Sequence, residues 1–254
     1  MQKMEKCPGT AAWICAEYVE GKGETTAMRY EHMTEGIFLS RPNRFIAMVE
    51  AEGSQAKAHV KNTGRCRELL IPGTKVFLQK HNNPERKTKY SLIGVMKGDV
   101  MVNMDSQAPN HVVREWLEQG GIYQKPDLIA AERKYGDSRF DFYIEGDGKK
   151  AFVEVKGVTL EEEGIARFPD APTERGVKHV KELMKCIEEG YEAYIIFVIQ
   201  MKGTRRFEPN DKRHPEFGAA LREAGQAGVH IQALDCRVGI DSLVIDEPVP
   251  VVLN

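Results

Sequence analysis

The sequence predicts a two-domain α/β protein, a small closed β-barrel followed by a mixed α/β layer. Three observations predict it. Short apolar runs of strand length follow one another between residues 37 and 103, separated by turn residues. After Asn110 the period changes, and helical stripes begin to alternate with strands. Within that second half, Ser138-Arg139-Phe140-Asp141-Phe142 and Phe152-Val153-Glu154-Val155-Lys156-Gly157 place two carboxylates and an ammonium on adjacent strands.

The first strands are expected at 37–39, 45–50, 56–60, 75–79, 91–96 and 100–103. They are punctuated by Gly53-Ser54, Asn62-Thr63-Gly64, Ile71-Pro72-Gly73-Thr74 and Lys97-Gly98-Asp99. So many short strands in so little chain fit a closed barrel better than a sandwich. Asn110 is then expected to cap a helix with Val112, Val113, Trp116 and Leu117 as its apolar stripe, ended by Gly120-Gly121. Strands follow at 127–134, 139–145 and 150–158, with a further one at 165–168. Thr173 is expected to cap a second helix with Val177, Val180, Met184 and Ile187 buried. A strand at 192–200, a helix with Pro215 in its first turn and a strand at 229–234 complete the layer. Residues 1–27 show no convincing period and are expected to be an extension. The barrel is expected over 28–108 and the α/β layer over 109–254.

Composition limits the function classes. The 254 residues are 41% hydrophobic and 29% charged, ordinary for a globular protein. No apolar run approaches the ~20 residues of a membrane-spanning helix, and the N-terminus does not read as a signal peptide. Five cysteines without a C-x-x-C pair argue against a disulfide framework or a zinc ribbon, and a reducing cytoplasm is the natural compartment. Residues 28–108 carry 13 Lys+Arg against 8 Asp+Glu, a net of +5; residues 109–254 carry 20 against 26, a net of -6. A basic front half points toward a polyanionic partner.

The chemistry is concentrated in the second half. Glu154 and Lys156 are two apart on a strand and share a face. The turn Glu145-Gly146-Asp147-Gly148-Lys149 has hairpin composition, and closing it brings Asp141 toward them. Such a group can bind Mg²⁺ and orient a water, the equipment of metal-assisted phosphodiester cleavage. An alternating strand showing polar residues to water is the plainer alternative. In the first half, Arg41, Asn43, Arg44, Asn62, Arg65, Arg67, Arg86, Lys87 and Lys89 lie in or near loops and mix cations with amides that bond phosphate oxygens. Lys178, Lys181 and Lys185 form a basic face on the second helix. His59, His179 and His230 stand isolated and are assigned to no site.

Taken together, Arg41-Pro42-Asn43-Arg44-Phe45, Asn62-Thr63-Gly64-Arg65, Asn83-Pro84-x-Arg86-Lys87-Thr88-Lys89-Tyr90, Gln107-x-Pro109-Asn110, the two strand motifs above and Phe168-Pro169-Asp170-Ala171-Pro172-Thr173-Glu174-Arg175-Gly176 resemble the sugar fermentation stimulation protein family (SfsA) over residues 28–238. The resemblance implies an N-terminal OB-type barrel, a C-terminal domain of the PD-(D/E)xK nuclease class, binding to single- or double-stranded DNA with little sequence preference, and a part in regulating sugar (maltose) metabolism. It maps the nuclease-like motif onto Asp141, Glu154 and Lys156. In an enzyme of this kind Asp141, Glu154 and the backbone carbonyl of Val155 would hold Mg²⁺ or Mn²⁺, and Lys156 would position or polarise the attacking water. Glu132, just before Tyr135-Gly136, is a candidate second carboxylate. Family chains often begin near the position of Met28, so residues 1–27 depart from the usual pattern. The family name describes a phenotype, which leaves two readings: a metal-dependent nuclease, or a non-catalytic DNA-binding regulator that keeps the fold as a scaffold.

Overall fold

In the computed structural model, residues 28–62 and 64–254 are described; the expected extension over residues 1–27 lies outside them. The described chain opens with β1 (Met28–Arg29), β2 (Met33–Asn43), β3 (Ile46–Ala51), β4 (Ser54–Val60), β5 (Lys75–Lys80), β6 (Tyr90–Lys97) and β7 (Val100–Asn103). Strict alternation drives the barrel: along β3, Ala47, Val49 and Ala51 point inward while Glu50 faces water. The order β4-β3-β2-β5-β6-β7 closes because the first half of β6 also pairs, in parallel, with the end of β4 (Ala58↔Tyr90, Val60↔Leu92). Its second half pairs with β7 (Gly94↔Asn103). Five strands therefore form the ring, in the connectivity of an OB-type barrel. Although the barrel was expected from residue 28, its first strand starts at Met33. Met28 and Arg29 pair with Leu243 and Ser242 of the second unit instead.

The second unit comprises α1 (Ala108–Glu118), β8 (Pro126–Tyr135), β9 (Ser138–Gly146), β10 (Lys149–Val158), β11 (Glu161–Glu162), β12 (Ile165–Phe168), α2 (Glu174–Glu188), β13 (Glu192–Ile199), β14 (Arg206–Pro209), α3 (Pro215–Gln226), β15 (His230–Val238) and β16 (Ser242–Pro248). Its main sheet has the order β1-β16-β15-β13-β10-β9-β8, with β10, β13 and β15 parallel at the centre. The unbroken apolar run Ala193–Ile199 belongs to that centre and is buried throughout, as strands covered on both faces are. Val112, Val113 and Leu117 of α1 pack with Phe142, Val153, Val155 and Ile196 on one side. Val180 and Leu183 of α2 and Phe217 and Leu221 of α3 pack with Phe140, Phe152, Ile195 and Phe197, and that core continues without a break into the barrel interior.

Helix signals were partly as expected. Thr173 caps α2, its hydroxyl accepting from the backbone N–H of Gly176 at 3.0 Å. Asn110 does not cap α1: the cap position is Gln107, which makes no side-chain capping bond, and Asn110 lies inside the helix, free for another task. No helix among the described residues is long and apolar enough to cross a membrane.

The two units meet at a polar seam. Gln200, 1% exposed at the end of β13, donates through Nε2 to the carbonyl of Asn103 (3.1 Å), the side chain of Asn103 (3.0 Å) and the carbonyl of Asp105 (3.0 Å). In return the N–H of Asn103 donates to the carbonyl of Gln200 at 2.9 Å. Asp105, itself buried, accepts from Lys61 of the barrel at 2.6 Å. Truncating Gln200 removes the buried amide donor shared by these three acceptors, two of which keep a second donor (the Asp105 N–H on the Asn103 side chain, the Ala108 N–H on the Asp105 carbonyl), and a buried group left unsatisfied costs about 1–3 kcal/mol. Gln200→Ala should therefore lose about 2 kcal/mol in urea denaturation; a loss within measurement error would show that the seam contributes nothing to stability.

Candidate functional site

The hairpin that joins β9 and β10 turns on Asp147 and Gly148, both left-handed (φ 53° and 73°) between Gly146 and Lys149. That is the geometry favoured by an Asp-Gly pair because it matches strand twist. The described ladder runs from Gly146↔Lys149 to Phe142↔Val153. Beyond Phe142 the Asp141 carboxylate takes over: the N–H of Val155 donates to its Oδ2 at 2.7 Å. Asn110 Nδ2 donates to Oδ1 at 2.8 Å, which is the task of the residue expected to be a cap. The sheet end thus opens around a carboxylate anchored by β10 and α1.

Glu154 points from β10 toward α2 and is only 2% exposed. Its Oε1 is shared by the Lys156 ammonium and by His179 Nδ1, the latter at 2.5 Å. Arg175 Nε donates to His179 Nε2 at 3.3 Å, so Nδ1 carries the proton given to Glu154. Glu154 Oε2 is buried with no hydrogen-bond partner. Gly157 follows because a Cβ there would lie 2.7 Å from Gln200 Oε1 and 2.8 Å from a ring carbon of Pro109.

The two carboxyls are electrostatically distinct. Burial pushes Asp141 above the ordinary carboxylate range, and the negative charge of Glu154 adds to it, against the opposing hydrogen bonds from Val155 and Asn110. Burial also acts upward on Glu154 and is its largest single influence. The hydrogen bonds and charges of His179 and Lys156 oppose it, and on balance Glu154 is held below its usual value.

Of the expected residues, Asp141, Glu154 and Lys156 converge with the Val155 backbone. Glu132 does not join them. The pairings Ala131↔Phe142 and Arg133↔Phe140 place it across from Asp141. Its backbone is left-handed (φ 56°), however, and its exposed carboxylate meets Arg139 at 3.5 Å. His179, assigned to no site from sequence, shares Glu154 Oε1 with Lys156. Its signal lay in the helix face: Gly176, His179, Val180, Leu183 and Cys186 are all buried, a stripe that includes the histidine. A separate acidic group, Asp235, Asp246 and Glu247, is filled by the Lys202 ammonium at 2.6–3.1 Å.

On the barrel, Arg41, Asn43, Arg44, Arg65 and Arg67 line one groove with Gly64 and Leu70, of about 560 Å³. Their roles divide. The four terminal N–H groups of Arg41 are spent on the carbonyls of Gly64, Arg65, Arg44 and Asn62 at 2.6–2.9 Å. Arg41 therefore builds the loops and is not free for a phosphate. Asn43 is likewise occupied, accepting from the N–H groups of Phe45 and Ile46, and Asn62 accepts from Gly64. Arg44, Arg65 and Arg67 are exposed and form no ion pair among the described residues. Phe45 is 44% exposed, with the Arg44 guanidinium 4.7 Å from its ring centre. On the β5–β6 loop, Arg86 reaches Ser91 at 3.3 Å, Lys89 pairs with Glu52 at 3.1 Å, and Lys87 is exposed.

Residues 39–104 match the model of the SfsA N-terminal OB domain, and residues 107–242 that of the sugar fermentation stimulation protein RE domain. The chain belongs to the SfsA family. A sugar fermentation stimulation protein homolog from Clostridium beijerinckii is 59% identical over 226 residues, covering 89% of this chain and 100% of the relative. A homolog from Desulfitobacterium hafniense is 60% identical over 216 residues, covering 85% and 94%. Among solved structures, Pyrococcus furiosus SfsA in complex with Ca²⁺ is 30% identical with a TM-score of 0.81, over 89% of this chain and 98% of that one. The fold is thus that of the SfsA family, an OB barrel followed by a mixed α/β domain that matches the family's RE domain.

The raised Asp141 carboxyl makes stability depend on pH. A carboxyl whose folded pKa lies above the unfolded one contributes stability that is fully present below the unfolded value, here 3.8, and lost as pH rises through the folded value. Asp141→Asn removes that cost while its amide can still serve Val155 and a flipped Asn110. In metal-free buffer at neutral pH the variant should melt above the wild type, and the advantage should vanish below pH 3.8. Melting curves across pH check this; equal melting points at neutral pH would mean that the charge is not penalised.

Proposed function

We propose that this SfsA-family protein binds DNA with little sequence preference through its barrel and cleaves phosphodiester bonds at the β9–β10 sheet end with a divalent cation. The observation that carries the reading is the pair Asp141 and Glu154. One carboxyl is raised by burial and by its neighbour, and the other has a buried oxygen without a partner. A hard divalent cation satisfies both conditions. Asp141, Glu154 and the carbonyl of Val155 would hold Mg²⁺ or Mn²⁺. When bound, such an ion lowers the pKa of a water and offsets charge on the phosphoryl group. That Pyrococcus furiosus SfsA was solved with Ca²⁺ supports a hard-cation site in the family.

The chain's own residues supply the rest. His179 and Lys156 keep Glu154 ionised and fix its rotamer. Asn110 and the Val155 N–H aim the Asp141 carboxylate. Lys156 would orient a water by hydrogen bonding and offset negative charge as it develops on the phosphate. In the barrel, Arg44, Arg65 and Arg67 are free to neutralise phosphates, and Phe45 offers a stacking surface to an unpaired base.

A second reading, a non-catalytic DNA-binding regulator of sugar metabolism, is favoured by one observation: both Asp141 oxygens and Glu154 Oε1 already have protein donors. Incubating pure protein with single-stranded oligonucleotides and supercoiled plasmid, with and without Mg²⁺ or Mn²⁺, separates the two. Wild type should nick only with metal. Asp141→Asn, Glu154→Gln and Lys156→Ala should each lose roughly a hundredfold or more in rate while still binding DNA. No nicking with either metal gives the case to the scaffold reading; persistent nicking in Asp141→Asn would overturn the residue assignment.

Binding should be electrostatic. Arg65→Ala or Arg67→Ala should weaken affinity alike for unrelated sequences. Each should flatten the slope of log K against log salt by about 0.9 on duplex or about 0.7 on single strands. Unchanged slopes in titrations across salt would move the interface off this groove.

A further inference from the structure

A second cavity lies on the far side of His179 from Glu154. It has a volume of about 350 Å³ and is lined by Lys134, Asp137, Ser138 and Arg139 of the β8–β9 turn and by Arg175, Lys178 and His179 of α2. At roughly 30 Å³ per water it has room for a phosphate group and its hydration. Four cations face one carboxylate. Lys134 and Arg175 make no ion pair among the described residues, and the pair Arg139–Glu132 is long and largely exposed. Lys178 donates to the carbonyl of Asp137 at 3.3 Å, which holds its ammonium at the turn, and its one ion pair among the described residues, with Glu182, is long at 3.8 Å.

The cavity differs from a solvated basic rim in one respect. Arg175 is anchored from below, its Nε on the buried His179, whose other nitrogen is on Glu154. Nη1 and Nη2 of its guanidinium remain for a ligand. The same end of β9 that begins this cavity at Ser138 and Arg139 carries Asp141 three residues after Ser138. A nucleic-acid strand seated at Asp141 and Glu154 and running toward the β8–β9 turn would meet these cations along its backbone.

We infer that Arg139, Arg175 and Lys178 form a phosphoryl-binding subsite beside the Asp141–Glu154 centre, which takes a phosphate of the same nucleic-acid strand. The inference deepens the proposed function and rests on it for the identity of the ligand as DNA. The recognising chemistry is a guanidinium pair on phosphate oxygens, and the phosphate is either an internal phosphodiester or a terminal 5′-monophosphate.

The test uses the full chain in EDTA, so that cleavage plays no part. Short single-stranded oligonucleotides of one sequence, 5′-phosphorylated or 5′-hydroxyl, are titrated by fluorescence anisotropy against wild type, Arg139→Gln and Arg175→Gln, with Lys178→Gln as a third variant should either arginine variant fail to fold. Loss of a charged hydrogen bond should weaken binding roughly tenfold and flatten the salt slope by about 0.7. Loss confined to the phosphorylated strand identifies a terminal monophosphate; equal loss for both strands identifies an internal phosphodiester; either supports the subsite. Wild-type affinity and slope in all folded variants, while Arg65→Ala still weakens binding, would overturn it and leave the DNA reading standing. Should no oligonucleotide bind, the DNA reading fails, and inorganic phosphate becomes the probe. Protection of Arg175 from phenylglyoxal by phosphate, read by peptide mass, then supports an anion subsite, and absence of protection refutes it.

Discussion

A buried negative charge on a central strand organises the second half of this molecule. Taking the Glu154 carboxylate out of water costs several kcal/mol unless partners replace the lost hydration. The replacements are drawn from two elements: Lys156 from the same strand and His179 from α2. This demand places α2 as firmly as its apolar stripe does. The rotation that buries Val180 and Leu183 is the one that presents His179 to Glu154. Arg175 then fixes the imidazole from the other side, so the helix, the strand and the charge specify each other.

The barrel shows a parallel economy. Its arginines look alike in sequence, yet one is consumed by the fold so that the others can be displayed. Arg41 gathers four carbonyls from two loops that have no secondary structure to satisfy them. Arg44, Arg65 and Arg67 stand on the frame so formed. A binding loop held in this way loses little further entropy when a ligand arrives.

Much of this was legible in the residues. The alternation of β3 and its neighbours, the Asp-Gly turn and the Thr173 cap are local signals, and each formed where local chemistry placed it. Glu154 and Lys156 were legible for the same reason, since strand geometry alone puts them on one face. What could not be read depends on partners distant in sequence. Asn110 has the right chemistry for a cap and instead serves Asp141, 31 residues away. His179 has no ligand-like neighbour in sequence, and its meaning lies 25 residues back on another element. Glu132 fell in the right register, and a single left-handed backbone angle turned it to solvent. The strands β1, β14 and β16 are short or studded with polar residues, and pairing across the fold, not propensity, makes them strands.

The seam of Gln200, Asn103 and Asp105 has a geometric corollary. It ties the end of the barrel to the strand neighbouring β10, so buried hydrogen bonds link the unit that carries the arginine groove to the unit that carries the carboxylate pair. Under the proposed function, a polymer gripped at one end and acted on at the other would be measured against the separation of groove and pair. Fragment sizes from such cleavage, read on a sequencing gel, would then report a distance within the protein's own architecture.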